Sequence, residues 1–128
     1  MFTYHTPPSI RPPFANYAHG VEVDPGARWL FVSGQLGIAP DENIPEDANG
    51  QAHLCFENIK AVLASADMGL ADIVRLNAYV AGREYLADYM KIRDHYVTDP
   101  APASTLMVVS GFAREIFKVE IEVVAAKA

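Results

Sequence analysis

The side chains of this sequence with the most chemistry to offer are four histidines, one cysteine, a serine ahead of a glycine, and two glutamates close to the C-terminus. His5, His19, His53 and His95 are too scattered for a metal site. There is no HExxH, no CxxC and no pair of histidines placed on one element, so no metal is expected. Cys55 has no second cysteine to bridge to and falls on the apolar side of a predicted helix, where a small core residue is the ordinary reading. Ser33 precedes Gly34, but a nucleophile elbow needs a glycine two positions before the serine, and Phe31 stands there. Gly34-Gln-Leu-Gly37 is too short for a phosphate loop. Glu120 and Glu122, with Lys118 before them, share one face of an extended strand, either as a solvated surface or as carboxylates able to orient water. Tyr17 and His19 share a face wherever the chain is extended, and Met90 and Leu106 read as core residues from their elements alone.

These residues depend on elements that the pattern of the chain predicts. Phe117, Val119, Ile121 and Val123 alternate with Lys118, Glu120 and Glu122, the period of a strand with one buried face. With the apolar run after Pro100-Ala-Pro-Ala-Ser, and a break at Gly111, this predicts a C-terminal hairpin. Residues 1–15 hold Pro7, Pro8, Pro12 and Pro13 and read as an irregular lead-in. A strand over 19–23, the turn Asp24-Pro-Gly-Ala and a strand over 28–33 predict a first hairpin. Gly34 and Gly37 then allow a bulge or a close backbone approach. After a polar loop to Asn49, an apolar stripe of Ala52, Cys55, Phe56, Ile59, Val62, Leu63 and Ala66 predicts a helix. Asp47 or Asn49 is placed to cap it, and Gly69 to end it in the left-handed region. A strand over 72–81 and a helix over 84–97 follow. The second helix places Leu86, Tyr89, Ile92 or Arg93, and Tyr96 on one face, and it stops before Pro100.

The order is β-β-α-β-α-β-β, an α+β two-layer sandwich with two helices on one face of a mixed sheet. Residues 1–128 read as one domain, long enough to bury a core without disulfides. Two helices cover only one side of such a sheet, so its other face is expected to pack against copies of the same chain. A net charge of −6, with no Lys/Arg cluster, argues against a nucleic-acid partner. No basic segment followed by an apolar run opens the chain, and no stretch approaches the ~20 apolar residues of a membrane span. A cytoplasmic protein without membrane association is expected.

Taken together, Tyr17-Ala-His-Gly, Phe31-Val-Ser-Gly-Gln, Asn58-Ile-Lys-Ala-Val-Leu, Asp72-Ile-Val-Arg, Tyr79-Val, Pro102-Ala and Val119-Glu-Ile-Glu resemble, in order and spacing, the RidA family, also called YjgF. The resemblance runs from about Pro12 to Ala126. It implies a chorismate-mutase-like fold and a homotrimer with small-molecule clefts between subunits. It also implies cofactor-free hydrolysis of reactive imines and enamines to a ketoacid and ammonia. By the same resemblance Tyr17 and Glu120 are the catalytic residues, Glu120 orienting water. Ser33, Gly34, Met90, Ala103, Ser104 and Leu106 line the substrate.

Three of these positions depart from the family pattern. Ser104 stands where a substrate-clamping arginine is expected, Leu106 where a cysteine is frequent, and Met90 where deaminase members carry an asparagine. An arginine grips a carboxylate through two charge-assisted bonds, and its loss costs roughly 10- to 100-fold in affinity. The sequence therefore points to a less anionic ligand, unless another arginine such as Arg114 takes the lost one's place in space. The alternative is a non-catalytic binding or regulatory trimer. The nuclease activity attached to some family names fits neither the acidic charge nor the absence of a histidine pair.

Overall fold

In the computed structural model, which covers Met1–Ala128, the chain runs β1 (Phe2–His5), β2 (Gly20–Val23), β3 (Arg28–Leu36), α1 (Ala48–Ser65), β4 (Ile73–Val80), α2 (Leu86–Tyr96), β5 (Ala103–Val108) and β6 (Val119–Lys127). Four strands form a mixed sheet in the order β3-β6-β4-β5. β5 lies parallel to β4, with α2 as the crossover that a parallel pair requires, and the other neighbours are antiparallel. The helices cover one face. Phe56, Ile59 and Leu63 of α1 and Tyr89 and Tyr96 of α2 meet Leu76, Ala78 and Val80 of β4 and Val119, Ile121 and Val123 of β6 in one buried cluster. The fold is the α+β two-layer arrangement expected. No helix is long and apolar enough to cross a membrane.

Neither expected hairpin forms. β2 pairs with β1, from Phe2 opposite Val23 to His5 opposite Gly20, so the supposedly irregular lead-in begins with a strand. The prolines start only at Pro7, and the four residues of β1 alternate freely before them. The turn at Gly26, with φ at 85°, is present, but it hands the chain from the small β1-β2 sheet to the main one. At the other end, β4 lies between β5 and β6. A turn signal marks a reversal and says nothing of which strand becomes the neighbour. The apolar row of β6, from Val119 to Ala125, is buried throughout, and a central place in the sheet gives such a row that cover.

α1 starts as expected, with the Asp47 carboxylate accepting the Gly50 N–H at 2.9 Å. It ends earlier than expected: Asp67, at φ 57°, takes the left-handed position foreseen for Gly69. On α2 the buried face runs through Tyr89, Arg93 and Tyr96, so of the two alternatives Arg93 is the inward residue. Cys55 is buried, its Sγ donating to the Gln35 carbonyl at 3.2 Å, and burial pushes the thiol up to about 12. It is a core residue.

Gln51, fully buried in the first turns of α1, is the polar fastening of the fold. Its Nε2 donates to the Pro45 carbonyl at 2.9 Å and the Ile116 carbonyl at 2.8 Å, and its Oε1 accepts the Lys118 N–H at 2.8 Å. These bonds tie the start of α1 to the chain entering β6. Gly37 lies against it, and a Cβ there would stand 2.5 Å from Gln51 Cα. Gln51→Leu keeps the volume and strands three backbone groups. We expect urea denaturation to show a loss of roughly 2–4 kcal/mol. A change within about 0.5 kcal/mol would mean that the fastening is dispensable.

Candidate functional site

The register of the sheet sorts the sequence-nominated residues into two places. On β5, Ser104 and Leu106 pair with Leu76 and Ala78, which are core residues, so they share the helix-covered face at the sheet edge. On β6, Glu120 and Glu122 pair with Tyr79 and Asn77 on the opposite, uncovered face. Ser33 of β3 is exposed.

Along the β5 edge, Phe14, Ala15, Tyr17, Met90, Arg93, Ser104 and Leu106 line a cavity of about 280 Å³. The Tyr17 segment reaches it because the Ala18 N–H donates to the Pro102 carbonyl at 2.9 Å, laying the chain parallel to the start of β5. The Tyr17 hydroxyl accepts the Phe14 N–H at 3.1 Å, which leaves its own proton free to donate. His19 stands edge-on to the Tyr17 ring, and its Nε2 donates to the Arg11 carbonyl at 2.7 Å, so it braces the segment. The structure therefore brings together Tyr17, Met90, Ser104 and Leu106. Ala103 lies outside, in a neighbouring cavity of about 370 Å³ with His19, Trp29 and Arg75.

Sequence reasoning left Arg93 without a functional role. The signal was available: an arginine on the apolar stripe of an amphipathic helix is out of place unless something is there to meet it. Arg114, the arginine nominated to stand in at the cleft, is not in this cavity. Its guanidinium lies 4.9 Å from the Phe117 ring centroid.

The second place is built by a bulge in β3. The β3–β6 register slips between Val32 and Gln35, and Gly34 sits in the slip. A Cβ at Gly34 would lie 2.8 Å from Glu120 Cδ, so the missing side chain is what lets the carboxylate lie against this backbone. Phe31, Val32, Ser33, Asn77, Glu122, Val123 and Val124 line a cavity of about 300 Å³ beside it. There, Glu122 Oε1 accepts the Tyr79 hydroxyl at 2.7 Å and the Asn77 amide at 3.3 Å. Within one chain Tyr17 and Glu120 do not share a cavity.

A family model described as endoribonuclease L-PSP matches residues 9–127. The chain belongs to the RidA (YjgF) family. Among its Rid relatives, a RutC family protein of Pyrococcus horikoshii is 28% identical over 129 residues, covering 99% of this chain and 96% of the relative. TdcF of Escherichia coli, named for reactive intermediate deaminase activity, is 26% identical, covering 98% of this chain and 94% of its own length. Among solved structures, the Rid family protein YyfB of Yersinia pestis superposes with a TM-score of 0.86 at 28% identity, covering 98% of both chains. E. coli TdcF, solved with bound serine, superposes at 0.72 and 27% identity, covering 91% of both. The YjgF-type fold expected from the sequence is thereby established.

The Tyr79–Glu122 bond gives the uncovered face a titration that can be read. Ionising Tyr79 would break the bond and set a second anion beside the carboxylate, so the phenol is raised above its ordinary value of about 10. The protonated phenol is favoured by the fold. Its contribution to stability is complete below about pH 10 and is lost as pH rises through the higher folded value. Glu122→Gln should bring the Tyr79 titration down toward the ordinary value, followed by NMR of ring-labelled tyrosine. An unmoved titration would remove Glu122 as its cause.

Proposed function

We propose that this chain is a RidA-like protein that binds a small metabolite in clefts between subunits of a homotrimer. There it hydrolyses an imine, an enamine or a related C–N bond without a cofactor. The observation that carries this reading is the division of the nominated residues between two faces of one sheet. Tyr17, Ser104, Leu106 and Met90 sit at the β5 edge, and Ser33, Gly34 and Glu120 on the uncovered face. That face also exposes Phe31 by 75%, Trp29 by 51% and Met107 by 52%. A face this apolar is covered in a stable assembly, and a neighbour seated on it would bring its own Tyr17 edge to Glu120. Family membership, with a relative named for deaminase activity and a neighbour solved with serine, supports a small amino-acid-like ligand.

The chemistry follows from the groups so joined. A water held by the Glu120 carboxylate attacks the imine carbon while Glu120 takes up its proton. The Tyr17 hydroxyl, whose acceptor side is already used by Phe14, donates to the imine nitrogen. The carbinolamine then collapses, its C–N bond breaking, so that imine and water give a carbonyl compound and ammonia. Ser104, on the wall of the same cavity as Tyr17, offers its hydroxyl to the substrate's polar end.

The test is ammonia release from 2-iminopropionate generated in the assay, with light scattering to establish the trimer. Glu120→Ala is expected to fall by about 10²- to 10⁴-fold, the usual contribution of a positioned acid or base. Gly34→Ala should push the carboxylate aside and slow hydrolysis with little change in stability, because the atom in its way is the end of a flexible side chain. Equal rates for wild type, Glu120→Ala and buffer would favour a non-catalytic binding trimer instead. A trimer structure in which Tyr17 and Glu120 of adjacent chains face different cavities would sink the cleft assignment.

A further inference from the structure

Arg93 is the only charged side chain among the buried residues, at 3% exposure. It rises from α2 one turn after Tyr89 and Met90 and forms part of the wall of the cavity that Tyr17, Ser104 and Leu106 complete. Its guanidinium is poorly served by the protein. Nη2 donates to the Asp94 carboxylate at 3.2 Å, but Asp94 is the next residue in the chain and its side chain is 57% exposed, so water competes for that bond. Nε is buried and has no partner. No aspartate or glutamate lines the cavity. An arginine kept for packing would have its fork filled by carbonyls or a carboxylate, because a buried charge without partners is costly. Arg93 instead lines a cavity, and its Nε meets no protein group.

We infer that Arg93 is the anion-binding group of this cavity, and that the ligand taken there carries a carboxylate. The inference rests on reading the cavity as the ligand site. The planar fork suits a carboxylate better than a point charge would. Ser104 and Tyr17 supply hydroxyls for a polar group next to the carboxylate. Leu106, Met90 and Phe14 form the apolar remainder, which suits a short aliphatic 2-oxo or 2-imino acid. Ser104 then marks no loss of anion binding in this chain. The cation reaches the cavity from α2, and the less anionic ligand suggested by the sequence gives way to an acid.

The experiment compares 2-oxobutyrate with its neutral methyl ester by isothermal titration calorimetry on the full chain. Wild type should prefer the acid by about 10- to 100-fold. Arg93→Met, verified as folded by circular dichroism, should lose that preference. Arg93→Lys should keep part of it. Ser104→Arg in the Arg93→Met background should restore it, since both positions open on the same cavity. If the ester binds wild type as well as the acid, the assignment of Arg93 is overturned while the cleft reading stands. Should neither compound bind, both fall together. An acid preference that survives in folded Arg93→Met would place the anion on another group. The acid–ester comparison on the unaltered protein decides the matter even if removing the guanidinium prevents folding.

Discussion

β6 is paired along both edges, and this governs much of the molecule. A strand in that place cannot shift register without turning its whole apolar row out of the core. Val119, Ile121, Val123 and Ala125 meet the helices, so Glu120, Glu122 and Val124 must stand on the other side. The position of Glu120 is therefore set by the burial of its neighbours: the core holds Val119 and Ile121, and they aim it. Gln51 reinforces the same constraint from the helix layer, since its bonds to Ile116 and Lys118 fix where the chain turns into β6. The bulge at Gly34 then supplies the one local irregularity that Glu120 needs to lie against β3.

The uncovered face combines two properties that rarely share a solvent-exposed sheet. Along β3 it presents Trp29 and Phe31 to solvent, and along β6 and β4 it carries a hydrogen-bonded polar group of Glu122, Tyr79 and Asn77, in which the buried Asn77 Oδ1 lacks a partner. The aromatic pair gains by leaving water, at about 1.5–3 kcal/mol for a large side chain fully buried. The polar group opposes the same move: the Glu122 carboxylate would leave water, and Asn77 Oδ1 is already buried without a partner. A second copy laid on this face would therefore gain from the aromatics, and gain most where it brings donors to the Glu122 carboxylate and Asn77 Oδ1.

What could be read from the sequence follows how local each signal is. The alternation of β6, the stripe of α1, the Asp47 cap and the bulge near Gly34 depend on residues within a few positions of one another, and all appear in the structure. Strand partnership depends on which surfaces remain to be covered after the helices have packed. For that reason the turns at Gly26 and Gly111 suggested hairpins that do not form. Family resemblance carried Tyr17, Met90, Ser104 and Leu106 into one list, and the cavity at the β5 edge joins them. It could not indicate Arg93, because a resemblance transfers only the positions that the family pattern contains.

Arg93 also shows why a missing side chain in a motif is weak grounds for a missing property. A cavity is a volume with walls from several elements, and a charge enters it equally well from any of them. Here β5 offers a hydroxyl at Ser104, while α2, one layer away, contributes Arg93 to the wall of the same space. Arg93 comes from the buried face of α2, which it shares with Tyr89 and Tyr96, and is itself only 3% exposed. Ordering a long side chain on binding has an entropic cost. A side chain already buried has met part of that cost in folding. An anion captured there draws on a preorganised donor, and the helix that carries it becomes part of the binding site.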